Sequence, residues 1–213
     1  MGGCAVDETN QGRVGGWAVG RFVKRPGSVP PFRVTGLPPD LDLGCGAVTR
    51  VPGALRADRA RGVRPDVVLD VEVALPFRDG AIGRVYCYDV LEHVRDLPRL
   101  MDDLHRVLAP GGRVFITTPH FSCANAHTDP THAHRFGWRS FDYFDASHPL
   151  AYYSHARFRI VHRVLRFHGG WIDAVVRRIA ARWPDFYEHR LTWIFPAWYL
   201  EFELEVAVTR PAP

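Results

Sequence analysis

The sequence has very little lysine, no long apolar run and no paired cysteines. Lys24 is the only lysine among the 213 residues, so the net charge of +4 comes from arginines spread along the chain. A nucleic-acid-binding surface usually shows clustered basic residues with interleaved aromatics, and this chain lacks that pattern. No apolar run approaches the ~20 residues of a membrane-spanning helix. We therefore expect no nucleic-acid partner and no membrane partner.

The cysteines indicate the compartment. Cys4, Cys45, Cys87 and Cys123 form no CxxC pair, which argues against a zinc ribbon or a disulfide framework and is typical of a reducing environment. The N-terminal residues MGGCAVDETNQGR include acids and no apolar segment, so they do not favour a secretory signal. We expect a cytoplasmic protein, and the composition, 46% hydrophobic and 23% charged, is that of a globular domain.

The chain divides into an arm and one domain. Residues 1–39 are rich in glycine and proline and show no sustained periodicity, so we expect an N-terminal arm with one short strand near 17–23. Residues 40–213 are long enough for one well-buried domain. The position of the arm ahead of the first strand suggests that it closes part of the functional site.

From Asp40 onward, short apolar runs alternate with turn residues. The runs are nearly continuous rather than alternating, as in strands covered on both faces. An amphipathic helix with Ile172, Val175, Val176, Ile179 and Trp183 on one face follows in the last third. The first predicted strand runs into a glycine turn within LDLGCG (41–46). The other predicted strands are 54–58, 67–73, 82–88, 113–119, 158–167 and 201–208, and the predicted helices are 97–108 and 171–183. This pattern indicates an open α/β sheet.

One spacing conflicts with that fold. Only residues 47–53 separate the first predicted strand from the second. A parallel crossover normally needs a dozen or more residues, usually with a helix. Either the crossover helix is reduced to a turn, or the second strand is misplaced.

Four motifs in fixed order indicate a family in which the connection between the first two strands can be this short. LDLGCG (41–46), LPFRDG (75–80), VLEHV (90–94) and LAPGG (108–112) resemble the class I S-adenosylmethionine-dependent methyltransferases, especially small bacterial type-11-like members with a short first crossover. The resemblance implies an α/β fold with a Rossmann-like, seven-stranded mixed sheet, helices on both faces and an antiparallel last strand. It also implies S-adenosylmethionine as cofactor and transfer of a methyl group to a small-molecule acceptor.

The resemblance assigns cofactor-binding roles to residues at the carboxyl ends of the strands, where such sheets bind ligands. Asp42 would receive the methionine ammonium, and Asp58 both ribose hydroxyls. Asp70 would bind the adenine amino group, beside the backbone of Val71. The remaining expected cofactor residues are Gly44, Cys45 and Gly46 in the turn, and Tyr88 and Asp89 at the methionine end. Without the motif series, Asp58 and Asp70 could equally be ordinary loop acids.

The loop PHFSCANAHTDPTHAHRFGW (119–138) follows the fifth strand and would face the transferred methyl group. His132, and after it His120, are our candidates for the base that deprotonates the acceptor, with Asp129 orienting one of them. A divalent metal on His127, Asp129, His132 and His134 is an alternative, but their spacing matches no tight metal signature, so we expect no metal. In a third interpretation, Asp129 caps the turn at Pro130 and the histidines bond to backbone.

Two other functions stay open on the same fold. One is a metal-dependent lyase or hydrolase that uses the His/Asp loop 120–134, and the other is a non-catalytic module that binds S-adenosylmethionine. The sequence does not identify the acceptor, does not distinguish O-, N- and C-methylation, and leaves a homodimer open. The aromatic residues around 121–144 are those that a pocket for a small planar or apolar acceptor requires.

Overall fold

Seven strands form a single mixed sheet. The computed structural model of the chain describes residues 39–145, 147–149 and 151–207. The strand order is β3-β2-β1-β4-β5-β7-β6, with β1 to β5 paired in parallel and β7 antiparallel to both of its neighbours. The strands are β1 (Asp40–Leu43), β2 (Leu55–Asp58), β3 (Val67–Val68), β4 (Ile82–Tyr88), β5 (Leu108–Pro119), β6 (Phe158–Arg166) and β7 (Tyr199–Val206). The predicted Rossmann-like α/β sheet with an antiparallel last strand is confirmed.

The helices lie in the connections between strands. Helix α1 begins after Asp96, whose carboxylate accepts a hydrogen bond from the backbone N–H of Arg99 at 3.1 Å, and it packs against β5. The helices are α1 (Leu97–Val107), α2 (Asn125–Thr128), α3 (Trp171–Arg182) and α4 (Pro184–Phe186). Single 3₁₀ turns lie at Arg61–Val63, Leu91–His93, Asp142–Phe144 and Ala151–Tyr153, and a π turn at Tyr187–Leu191. No helix in the described ranges is long and apolar enough to cross a membrane.

The first crossover contains no helix, so the first of the two alternatives is correct. Residues 44–54 run directly from β1 to β2, and the second strand lies where it was predicted. The backbone N–H groups of Gly44 and Cys45 both donate to the carbonyl of Ala57, at 2.8 and 3.1 Å. The guanidinium of Arg56 donates to the carbonyl of Gly46 at 2.7 Å. Hydrogen bonds to β2 therefore take the place of a crossover helix.

The largest differences from the predicted strand bounds are in the third and fifth strands. The third strand ends at Val68, because the carboxylate of Asp70 accepts a hydrogen bond from the N–H of Glu72 at 2.9 Å and its carbonyl accepts one from Val73 at 3.2 Å. These two bonds turn the chain within the predicted strand. The fifth strand begins at Leu108, so APGG lies inside it instead of between helix and strand.

Helix α3 is amphipathic, but its apolar face is only partly covered. Val176 and Ala180 are buried, whereas Ile172, Val175 and Trp183 are 42, 49 and 55% exposed. Only part of the predicted apolar face of α3 is therefore buried in the core.

Strand β7 alternates as predicted. Its even-numbered residues are buried, and its odd-numbered glutamates are partly exposed and form ion pairs across the sheet. The pairs are Arg113–Glu203, Arg113–Glu205 at 2.8 Å, Arg159–Glu205 at 2.7 Å and Arg166–Glu201 at 2.5 Å.

The predicted arm (residues 1–39) and its strand near 17–23 lie outside the described residues, apart from Pro39, and stay predictions.

Candidate functional site

Four acids share one edge of the sheet. Asp42 lies on β1, Asp58 ends β2, Asp70 follows β3, and Asp89 follows β4. Because these strands are parallel neighbours, with Leu43 opposite both Ala57 and Cys87, their carboxyl ends meet at this edge. The structure thus brings the predicted cofactor acids to one side of the molecule.

Asp42 is a buried acid that lacks a hydrogen-bond partner on one oxygen. It is 1% exposed, and its Oδ2 accepts no hydrogen bond from any described residue. Burial raises the pKa of its carboxyl group, and the positive charges of Arg50 and Arg56 oppose this effect. A buried acceptor without a donor is costly. A ligand that brings an ammonium group would remove that cost.

The glycine turn after β1 has no room for a side chain at Gly44, but it has room for one at Gly46. Gly44 has φ of 69°, and a Cβ there would lie 2.3 Å from Cγ2 of Val90. Gly46 has φ of 58°, with open space around its Cα. Cys45 between them is buried, and burial raises the pKa of its thiol, so this side chain is inert packing.

The predicted ribose and adenine acids differ in their surroundings. Asp58 is half-buried and accepts hydrogen bonds from the N–H of Gly46 at 3.0 Å and of Ala60 at 2.8 Å, one on each oxygen. Asp70 is exposed at the edge. The carbonyl of Val71 accepts a hydrogen bond from the guanidinium of Arg99.

Arg50 was not among the predicted site residues, but it lies where the methionine part of the cofactor is expected to bind. Arg50 lies in the short crossover and donates to the carbonyl of Tyr88 at 3.2 Å and to Oδ2 of Asp89 at 3.1 Å. Asp89 has φ of 60°, an unusual conformation that turns the chain sharply after β4. The loop that replaces the crossover helix therefore places a positive charge beside two expected cofactor residues.

A cavity of about 580 Å³ opens beside this edge. Its volume is in the range of small-molecule sites. Asp89 belongs to both the cavity and the acidic edge, so it links the two. The cavity is lined by Asp89, Glu92, His93, Pro119, Asn125, Thr128, Asp129, Pro130, His132 and Tyr199.

The loop at Asp129 is held by its own hydrogen bonds. Oδ1 of Asp129 accepts from the N–H and the hydroxyl of Thr131, at 2.8 and 2.7 Å, so Asp129 caps the turn at Pro130. The same hydroxyl oxygen lies 2.8 Å from Nδ1 of His93. Asp129 therefore acts through Thr131 on His93, and no direct bond to His132 is found in the described part of the chain.

Glu92 is a cavity residue that the sequence interpretation missed. It is 2% exposed, and burial raises the pKa of its carboxyl group to about 7. Its Oε2 accepts from the hydroxyl of Thr118 at 3.2 Å, and its Oε1 lacks a partner among the described residues. In the sequence, the motif VLEHV was the only signal for it.

The candidate histidines have different environments. His132 lines the cavity, with Nδ1 3.3 Å from the carbonyl of Ala126. His120 is fully buried, and its ring nitrogens lie 2.7 Å from Oγ of Ser122 and 3.0 Å from Oε1 of Glu188. His120 therefore does not face the cavity, and its contacts are those of a core residue.

The four residues weighed as a metal set do not converge. His127 bonds the carbonyl of Phe121 at 2.9 Å, and His134 that of Arg95 at 3.3 Å, as in the interpretation with backbone-bound histidines. A different trio converges, namely Glu92, His93 and His132, with one ligand atom of each within 4.8 Å of the others.

Comparison with known proteins identifies the fold. Residues 45–116 match the family model described as "Methyltransferase domain". An S-adenosylmethionine-dependent methyltransferase from Archaeoglobus fulgidus is 16% identical, with a TM-score of 0.54 over 80% of this chain and 86% of that one. The YcgJ protein from Bacillus subtilis is 15% identical, with a TM-score of 0.51 over 81% of this chain and 93% of that one. This chain has the class I S-adenosylmethionine-dependent methyltransferase fold.

The curated relatives match a shorter part of this chain than the solved structures do. The "Ubiquinone biosynthesis O-methyltransferase" of Xylella fastidiosa (strain M23) is 27% identical in an alignment of 99 residues that covers 37% of this chain. The match spans 40% of the length of that relative. The resemblance drawn from the sequence motifs is confirmed, and the alternative of a metal-dependent lyase or hydrolase is not favoured.

Proposed function

We propose that the protein transfers a methyl group from S-adenosylmethionine to a small-molecule acceptor. One observation carries the proposal: the buried Asp42, with one oxygen unpartnered, lies beside a turn in which Gly44 leaves no room for a Cβ. The unpartnered oxygen fits a ligand that presents an ammonium group, and Gly46, with no atom within 4 Å of its Cβ position, leaves the backbone of the turn open to a ligand. When bound, the cofactor supplies a methyl group on a positively charged sulfur.

The residues of the chain would bind and orient this ligand. Asp42 pairs with the ammonium, and Asp58, at the end of the next strand, binds the ribose hydroxyls. Asp89 lies between this edge and the cavity, so it marks the passage from the cofactor to the acceptor. Because the methyl carbon is already activated, positioning and exclusion of water contribute much of the catalysis.

We propose a hydroxyl group as the nucleophile, supported by the names of the curated relatives, which are O-methyltransferases. A hydroxyl acceptor must lose a proton, and the cavity carries groups with free lone pairs. We assign His132 to the acceptor side, together with Glu92 and His93. Asp129 acts through Thr131 as a positioning residue, and His120 takes a structural role.

The cellular setting is also a proposal. We place the protein in the cytoplasm, in small-molecule biosynthesis, without nucleic-acid or membrane partners. The described cysteines, Cys45, Cys87 and Cys123, are free and buried, as in a reducing compartment.

Calorimetric titration with S-adenosylhomocysteine tests the cofactor site. We expect 1:1 binding by the unmodified protein and a loss of about 30-fold in affinity in Asp42→Asn, since a hydrogen bond to a charged group is worth about 2 kcal/mol. Asp79→Asn, which removes a surface carboxylate paired with Arg106, is the matched control and should bind as the parent does. Absence of binding to the parent protein would end the proposal.

A second measurement tests turnover. Release of S-adenosylhomocysteine is followed with a panel of small phenols and hydroxy acids, together with amine analogues of the same size. Methylation of the hydroxyl compounds is expected. Methylation confined to the amines would contradict the proposed nucleophile, and cofactor binding without any turnover would favour a non-catalytic module.

A further inference from the structure

Two distant segments meet at the cavity. Glu92 and His93 lie on the 3₁₀ turn after β4, and His132 lies in the loop that follows β5 and α2. The loop is fixed to the turn because the backbone N–H groups of Ala133 and His134 donate to the carbonyl of Glu92, at 2.7 and 3.1 Å. The rings of His93 and His132 have centroids 4.7 Å apart in an edge-to-face arrangement. Their proximity is therefore built into the backbone.

The hydrogen bonds around the trio determine which atoms remain free. The hydroxyl of Thr131 donates to Asp129, so its oxygen accepts from His93, and Nδ1 of His93 carries the proton. A carbonyl can only accept, so Nδ1 of His132 donates to Ala126. A neutral imidazole has one protonated nitrogen, which leaves the Nε2 lone pair of each ring available.

Glu92 adds a third acceptor. Its Oε2 accepts from the hydroxyl of Thr118, while Oε1 is buried without a partner in the described part of the chain. One possible ligand atom of each of the three residues lies within 4.8 Å of the others. Lone pairs that face each other with no donor between them repel, and a cation at their centre reverses the sign of that interaction.

We infer that Glu92, His93 and His132 form a binding site for a divalent transition-metal ion of the zinc class. Two imidazoles and one carboxylate are a ligand set typical of zinc, with a fourth position open to water or to an acceptor oxygen. All three residues line the cavity, so the open position lies on its acceptor side.

The geometry is within reach of such an ion. Tetrahedral bonds of 2.0–2.1 Å place ligand atoms about 3.3 Å apart. Atoms now within 4.8 Å must approach by up to about 1.5 Å, which side-chain rotation of the exposed His93 and the half-buried His132 can supply.

Each of the three proposed ligand side chains also has a hydrogen-bond partner of its own. Thr131, with Asp129, supports His93, the carbonyl of Ala126 supports His132, and Thr118 supports Glu92. Metal-binding histidines nearly always donate their other N–H to such a partner, which fixes the ring. The surroundings of the trio are therefore those of a metal site.

Titration of tag-free, chelator-treated protein with zinc chloride at pH 7.5 tests the inference, with cobalt(II) absorption as a spectroscopic readout. We expect one ion per chain. Glu92→Gln, His93→Asn and His132→Asn should each weaken zinc binding by at least about 10-fold, the lower end of the loss seen even for supporting residues. His127→Asn and His134→Asn are matched controls from the same loop, and they should bind zinc as the parent does.

The inference is overturned if the parent protein binds no zinc, or if the His127→Asn and His134→Asn controls lose as much affinity as His132→Asn. Far-UV circular dichroism and S-adenosylhomocysteine titration establish that each variant is folded, and should Glu92→Gln fail to fold, the two histidine variants decide. The outcomes separate this inference from the proposed function. Cofactor binding without zinc binding refutes only the metal site, and zinc binding without cofactor binding refutes only methyl transfer.

Discussion

Replacing Gly44 with alanine tests the cofactor turn through its contact with Val90. The new Cβ meets two strains. A residue with a side chain at φ of 69° costs about 1 kcal/mol. The Cβ would also lie 2.3 Å from Cγ2 and 3.3 Å from Cγ1 of Val90, which is 8% exposed and has little space to move. Overpacking of this kind costs about 2 kcal/mol, so we expect Gly44→Ala to lower the free energy of unfolding by about 3 kcal/mol.

A second substitution isolates the steric part. Val90→Ala alone removes two buried methyl groups and costs about 2 kcal/mol. In the double variant the clash is absent, because the remaining Cβ of residue 90 lies 3.4 Å from the new Cβ, an ordinary contact. We expect a total cost of about 3 kcal/mol instead of the additive value of about 5, which is a coupling of about 2 kcal/mol.

Urea unfolding of the four proteins measures this cycle, and Gly46→Ala is the matched control. Gly46 has a similar φ of 58° and no atom within 4 Å of its Cβ position, so its substitution should cost only about 1 kcal/mol. Additive costs in the double variant, or equal costs for Gly44→Ala and Gly46→Ala, would refute the steric argument.

Three further predictions concern charged groups. Asp42 must be ionised to hold an ammonium, and the pKa of its carboxyl group is raised. The affinity for S-adenosylhomocysteine should therefore fall as the pH decreases, starting at a higher pH than for an ordinary carboxyl group. A pH-independent affinity would contradict this. Arg50→Ala removes a charge that lowers the pKa of Asp42, so the midpoint of that pH profile should move up, while stability changes by less than about 1 kcal/mol because the Arg50–Asp89 pair is partly exposed. His120→Ala removes a fully buried ring together with its hydrogen bonds to Ser122 and Glu188, and should cost about 3 kcal/mol in urea unfolding. A stable variant that binds cofactor but has lost turnover would instead indicate a catalytic His120.

The strands could be predicted where the pattern of apolar residues and the turn residues agreed. Strand β4 has the predicted bounds, since IGRVYCY is a largely apolar run, interrupted by Gly83 and Arg84, between Gly80 and the turn at Asp89. In VVLDVEV the apolar residues continue past the end of β3, and the hydrogen bonds of Asp70 that turn the chain do not show in the pattern. Local composition therefore located this strand without giving its length.

The acids of the expected cofactor site were predictable because the ends of parallel strands meet at one edge. The residues on the acceptor side of the cavity could not be predicted in this way. Sequence spacing does not show which histidine of a loop points inward, and His120 turned out to be packed against Glu188. Glu92 was missed because its contacts come from distant parts of the chain, such as the loop about 40 residues further along that bonds to its carbonyl. Such contacts arise only in the folded chain.

The helix-free crossover also has a consequence for the order of folding. Strands β1 and β2 are joined by residues 44–54 alone, whereas β5 pairs with β7 across roughly 80 residues. Closing the longer loop costs about 2 kcal/mol more chain entropy, by the logarithmic dependence on loop length. Contacts between nearby residues form sooner than distant ones. The cofactor half of the sheet should therefore assemble early, and the chain that leaves the ribosome first would carry a paired β1–β2 unit before β7 has been synthesised.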